Sequence, residues 1–185
     1  VPAGRVVGIG GLVLLAGLAG REAFSWIDAY GSALAHRSGR IDRDAYLSEL
    51  KYGGYEPRVL ERTAAGIARS TSPGEPILVW GLAPTLYFLA DRPPATRFPF
   101  HHLLLTEEAL SRSLPGLQAR RRAFLERLSR DRPAMILVGR GDRSAFEQRD
   151  SYAQMVRFER FHRIVRERYE LAGESSRFLV FRRRP

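Results

Sequence analysis

Residues 63–98 read TAAGIARSTSPGEPILVWGLAPTLYFLADRPPATRF, and the alternation inside this stretch decides the class of fold. Upstream of the turn Ser72-Pro73-Gly74, the apolar positions Val59, Leu60, Ala64, Ile67 and Ala68 recur at helical spacing over Pro57–Ser70, with Pro57 suited to the first turn. Pro76-Ile77-Leu78-Val79-Trp80 is an unbroken apolar run ending at Gly81, the pattern of a strand buried on both faces. Pro84 can start a helix over Thr85–Asp91 with Leu86, Tyr87 and Leu89 facing inward. After Arg92-Pro93-Pro94 the chain is expected to return to extended structure through Ala95–Phe98, which predicts a compact βαβ unit.

The same alternation continues towards the C-terminus. A helical stretch beginning at Thr106 is interrupted by Pro115-Gly116, and Leu117–Arg130 is a helix, basic on one side, with Phe124, Leu125 and Leu128 on the other. Ala134–Gly139 (AMILVG) is a second central strand, closed by the turn Arg140-Gly141-Asp142. Tyr152–Arg168 reads as one final helix with Phe158, Phe161 and Val165 on its buried stripe, and the segments Tyr169–Ala172 and Arg177–Arg183, on either side of Gly173-Glu174-Ser175-Ser176, as a hairpin. The expected fold is α/β: a small, mostly parallel sheet of three to five strands flanked by helices, with an antiparallel C-terminal hairpin.

Ahead of this domain, assigned to residues 56–185, the chain is of a different kind. Between Arg5 and Arg21 run fifteen uncharged residues, VVGIGGLVLLAGLAG, short of the roughly 20 that a helix needs to cross a bilayer core. The chain begins at Val1 rather than Met, so residues 1–20 are read as a truncated last transmembrane helix; a signal sequence or a buried helix are the rival readings. Gly8, Gly10 and Gly11 do not complete a dinucleotide fingerprint, whose third glycine would fall on Val13. Residues 21–55 form a helical connector. In it Phe24, Trp26, Ile27 and Tyr30 cluster either where aromatic side chains would meet lipid headgroups or on a core-packing helix, and a short helix over 42–50 begins with Asp42 as cap, before Gly53-Gly54 breaks it.

Composition narrows the chemistry. Of 185 residues 44% are hydrophobic and 27% charged, which excludes wholesale disorder and fibrous repeats. With no cysteine, thiolate metal sites and cysteine nucleophiles are excluded. The net charge is +10, from 29 Arg and the single Lys51 against 20 acidic residues, so the partners to weigh are nucleic acid, an anionic membrane surface or an acidic substrate. His36, His101, His102 and His162 have no metal-ligand spacing, no GxSxG or phosphate-loop motif occurs, and neither a catalytic residue, a metal nor a cofactor is predicted.

The most site-like feature is Trp80-Gly81-Leu82-Ala83-Pro84, since ligands of open α/β sheets settle beyond the carboxyl ends of the strands. Trp80, Gly81, Arg92, Arg97 and Arg140 are therefore the candidate ligand-binding residues, for a phosphate or a glycan carboxylate. The opposing reading is that Trp80 and Pro84 pack, and that the arginines pair with carboxylates such as Asp91 and Asp142. Arg157, Arg160, Arg163 and Arg166 repeat every third residue; with Trp26 and Tyr30, the first three are the candidate membrane contacts, unless the stripe is a solvated face laced with Glu159 and Glu167. No nucleic-acid module is present, and no specific nucleic-acid partner is expected.

The pattern over Thr63–Phe98, with Arg132-Pro133-Ala134-Met135-Ile136-Leu137-Val138-Gly139 and the closing Tyr-Glu-Leu and Phe-Leu-Val-Phe-Arg-Arg, resembles the extracytoplasmic C-terminal region of bacterial polytopic GT-C glycosyltransferases, the family 39-like, protein-mannosyltransferase-like enzymes. The likeness covers most of residues 55–183 and consists of structural residues. It implies transfer of a sugar from a polyprenyl-phosphate-linked donor to an acceptor outside the cytoplasm, and a membrane location with this domain on the periplasmic side. The family's essential acidic residue lies in a first external loop that no residue here matches, so no catalytic role passes to Asp91 or Asp142. The alternative is a non-enzymatic, membrane-anchored α/β module that binds an anionic glycan or lipid.

Overall fold

The computed structural model describes residues 30–49, 55–104, 116–143, 148–175 and 177–185. The apolar run of residues 1–20, Trp26, the Gly53-Gly54 break and the helix expected from Thr106 lie outside the described residues. The chain divides into two compact units, residues 1–50 and 51–185. In the first, residues 30–37 are helical and a second helix, α1, spans Arg43–Glu49. Asp42 caps α1 as expected, its carboxylate accepting the Ala45 amide at 2.7 Å, and His36 stacks on Tyr46 with ring centroids 5.0 Å apart.

The second unit is mixed α/β. Helix α2 (Pro57–Ser70) leads to β1 (Ile77–Trp80), α3 (Thr85–Leu89), a 3-10 turn at His101–Leu104 and α4 (Leu117–Asp131). There follow β2 (Met135–Gly139), α5 (Ser151–Arg157), α6 (Glu159–Arg168), β3 (Tyr169–Glu174) and β4 (Phe178–Arg183). The strands form one sheet in the order β1-β2-β4-β3. Every residue of β1 and β2 is buried, and the pair is parallel with Ile77 opposite Met135 and Trp80 opposite Val138.

Alternation along these strands divides the core in two. Leu78, Trp80, Ile136 and Val138 point to one face with Phe124 and Leu128 of α4, Met155 of α5 and Phe161 and Val165 of α6. Ile77, Val79, Met135 and Leu137 point to the other, against Leu60, Ala64 and Ile67 of α2 and Leu86 of α3. Two helical layers therefore enclose the sheet, which is why its two inner strands read as continuous apolar runs.

Four expectations need correction. The sheet is mixed rather than mostly parallel, because β4 inserts antiparallel between β2 and β3. The hairpin strands are unequal: β4 buries Phe178 and Leu179, whereas β3 buries only Tyr169, so the more apolar strand takes the inner place and the polar one the edge. The bulge at Leu171/Gly173 interrupts the edge strand, a known guard against further pairing. Residues 95–98 do not form a strand. The chain does return parallel to β1, but makes a single bridge, Ile77 to Pro94, before the Thr96 hydroxyl accepts the Phe98 amide and turns it away. Pro93 and Pro94 have no amide hydrogen with which to extend a ladder.

The last helix is likewise two, broken at Phe158 (φ −85°, ψ 71°). Phe158 there joins the ring cluster around Trp80, with centroids 6.2 Å from Trp80 and 6.1 Å from both Phe124 and Phe161. In α3, Leu86 is inward as expected, but Leu89 is 39% exposed and Ala90 takes the buried position.

Trp80, Phe124 and Phe161 form the tightest part of this cluster, Trp80 to Phe161 being 4.6 Å. Truncating Phe124 to Ala is expected to cost about 3–5 kcal/mol by urea unfolding. The same change at Phe88, 84% exposed, should stay within about 0.5 kcal/mol of wild type.

Candidate functional site

The ends of β1 and β2 lie side by side, and each is followed or finished by a glycine, Gly81 and Gly139. The space those two residues leave is filled by the carboxylate of Asp142, which is only 5% exposed. A β-carbon on Gly139 would overlap that carboxylate and stand 2.6 Å from the Tyr55 hydroxyl; one on Gly81 would stand 3.1 Å from the Asp142 Oδ2 atom.

Four donors close on Asp142. The Tyr55 hydroxyl donates to Oδ2 at 2.9 Å, the Ser151 hydroxyl to Oδ2 at 2.6 Å, the Ser151 amide to Oδ1 at 2.8 Å and the Leu82 amide to Oδ2 at 3.3 Å. Ser151 opens α5, and Asp150, its N-cap, accepts the Ala153 amide at 2.9 Å. The Ser151 carbonyl accepts the Trp80 indole N–H at 2.9 Å, so one residue couples the carboxylate to the aromatic cluster.

Burial above all, then the negative charge of Asp142 and its hydrogen bond, push the Tyr55 phenol far above the usual tyrosine range, so Tyr55 stays a proton donor to Asp142. Serine, aspartate and tyrosine are nucleophile and acid–base types, yet Ser151 is wholly buried, its hydroxyl is spent on the carboxylate, and no histidine is among the cluster's hydrogen-bond partners. The arrangement is a lock on the strand ends.

The sequence-derived candidates fall in separate places. Trp80 is buried in the core and Gly81 backs onto Asp142. Arg92, 8% exposed, commits all five of its guanidinium N–H groups to the chain itself: Nε to the Thr71 hydroxyl at 2.9 Å, Nη1 to the carbonyls of Ala90 and Asp91, Nη2 to those of Ala68 and Thr71. It ties the C-terminal end of α2 to that of α3, where orphan carbonyls attract a cation, and has no donor left for a ligand.

Arg97 is exposed, its guanidinium 5.1 Å from the Phe98 ring centroid, beside a recess of about 540 Å³ that Arg127 and Arg130 also line. Arg140 is exposed and pairs with Glu174. Each of the three has its own partners, so they do not assemble one anion site. Asp142 takes neutral donors in place of the arginine partner anticipated for it.

Arg157, Arg160 and Arg163 are exposed on α5 and α6, and Tyr30 is exposed in the first unit. Among the described residues no group of three or more His, Asp or Glu side chains is arranged to hold a metal ion. The Tyr55–Asp142–Ser151 cluster is not among the sequence-derived candidates, where Asp142 belongs to a turn. Its signal was the pair of glycines ending two adjacent buried strands, which leaves a side-chain-sized space to be filled. Comparison with protein-family models, with curated proteins and with solved structures finds no match.

Gly139→Ala is expected to destabilise by about 1–3 kcal/mol or more in urea unfolding, through overpacking against a clamped carboxylate. Gly173→Ala, which meets open space, should be close to neutral. A second prediction concerns alkaline pH. Burial raises the phenols of Tyr87 and Tyr169 to about 12 and that of Tyr55 further, so the folded state keeps protons that the unfolded chain releases near pH 10. Stability is thus full below pH 10 and falls as pH rises towards 12, by up to about 1.4 kcal/mol per pH unit for each tyrosine. Unfolding titrations of Tyr87→Phe should show a shallower fall over that window.

Proposed function

We propose that this chain is the C-terminal extracytoplasmic domain of a membrane glycosyltransferase that moves a sugar from a polyprenyl-phosphate-linked donor to an acceptor outside the cytoplasm, and that the domain is an accessory to catalysis. The observation that carries the accessory role is the closed crevice. Where an open α/β sheet would seat a ligand, Asp142, Tyr55 and Ser151 occupy the space and satisfy one another. The transferase assignment rests on the Thr63–Phe98 pattern and its continuation through residues 132–139 and 169–183.

Among the described residues no helix is long and apolar enough to cross a membrane, so the spans this reading requires belong to residues outside them. The second reading, a membrane-anchored module that binds an anionic glycan or lipid, is favoured by the exposed arginines of α5 and α6 rather than by the crevice at Trp80.

The test uses the intact protein assayed with a polyprenyl-phosphate-linked sugar. Asp142→Asn should lower the yield of folded enzyme while turnover per folded molecule stays within about twofold, since the residue touches no reacting group. A loss of about a thousandfold with the fold intact would place chemistry in this domain and overturn the accessory role. An intact reading frame with fewer than about eight apolar spans of roughly 20 residues would overturn the transferase assignment itself.

A further inference from the structure

At the end of the sheet opposite Asp142, the C-terminal ends of α4, α6 and β4 meet the start of β3 around a recess of about 500 Å³. Arg132, Arg168, Arg183 and Arg184 line it, with Tyr169, Pro185 and one carboxylate side chain, that of Glu167. Tyr169 opposes Arg183 in the hairpin register. The positive charges of Arg183, Arg168 and Arg132 favour loss of its phenol proton, against the larger rise caused by burial. Four cations, from the ends of three elements, are thus gathered around one nearly buried ring.

Helix ends explain part of the gathering. The terminal carbonyls of α4 and α6 attract cations, and Arg183 Nη1 donates to the Arg132 carbonyl at 2.7 Å while Arg184 Nε donates to that of Tyr169 at 3.1 Å. Arg183 also stands 3.8 Å from Glu75. Those contacts occupy a minority of the donors, since each guanidinium offers five. Among the described residues no ion pair joins Arg132 or Arg168 to a carboxylate, Glu167 included. Arg132 moreover holds a left-handed backbone (φ 39°) that a non-glycine residue adopts rarely, at the turn that delivers it to the recess.

We propose that this recess binds a phosphate group, held by the guanidinium groups of Arg132 and Arg168 with Arg183 and Arg184 on its flanks. Planar guanidinium forks match the paired oxygens of a phosphate, and an excess of four arginines over one glutamate suits a doubly charged anion better than a lone carboxylate. The phosphate of a small soluble ester and that of a lipid headgroup present the same oxygens to this recess. The site is separate from the crevice and does not depend on the transferase assignment.

The full chain is titrated with inorganic phosphate at constant ionic strength, with chloride as reference. Saturable binding with a dissociation constant on the order of 1 mM is expected, together with shifts of the Arg132 and Tyr169 amide resonances. Arg132→Gln with Arg168→Gln should weaken it at least tenfold, whereas Arg157→Gln with Arg163→Gln, on the exposed face of α5 and α6, should leave it within twofold. Flotation with phosphatidylglycerol vesicles, against phosphatidylcholine, then separates the sources. If the first pair of changes abolishes flotation the phosphate is a headgroup's, and if flotation is unaltered while phosphate affinity falls it is a soluble ester's. Equal affinity in both double variants, or resonance shifts that avoid the recess, overturns the proposal. Should the Arg132/Arg168 variant fail to fold, the resonance shifts of the wild-type chain decide alone.

Discussion

A carboxylate taken out of water must find hydrogen-bond donors inside the protein, and Asp142 finds four: one from Tyr55, two from Ser151 and one from Leu82. These donors come from the segment before α2, from the start of α5 and from the turn after β1, so a single group holds together the parts that meet at the ends of the two central strands. Leaving any of those donors or the acceptor unmatched in the interior costs more than the hydrogen bond itself contributes, which makes the cluster all-or-none. Gly139 is the precondition, because a side chain there would stand where the carboxylate stands, and one at Gly81 would press on it.

The same cluster orders the rest of the core. Ser151 receives the Trp80 indole N–H through its carbonyl while giving its own amide and hydroxyl to Asp142, so the aromatic packing on one face of the sheet and the polar lock at its end share one residue. Trp80 then sets the position of Phe124, Phe158 and Phe161. Arg92 plays a comparable part at the helix ends on the other side of the sheet, where a guanidinium saturated by backbone and hydroxyl oxygens closes α2 and α3. Two groups of chemically reactive type are thus consumed by architecture, and the basic character of the protein is carried by arginines outside them.

Much of the fold was legible beforehand. The bounds of α2, the cap of α1, both central strands and the terminal hairpin follow from local patterns: apolar spacing of three and four, unbroken apolar runs between turn residues, and a carboxylate three positions ahead of a free amide. The candidate site was less legible. Trp80 and Arg92 drew attention as ligand-binding types, but whether a donor is available depends on what already satisfies it, and the partners of Arg92 lie up to 24 positions away in the chain.

What the sequence determined by itself is therefore local: which segments are helix or strand, which strands are covered on both faces, and that cysteine chemistry is absent. Tertiary structure alone decided that β4 rather than β3 sits beside β2, that residues 95–98 leave the sheet after one bridge, and that Asp142 meets Tyr55 across 87 positions. The physical reason is the range of the forces that choose. Periodicity and capping act within a turn or two of the chain, whereas strand order is chosen by which apolar side chains gain most from burial, and a buried carboxylate is matched by whichever donors the finished packing brings within about 3 Å.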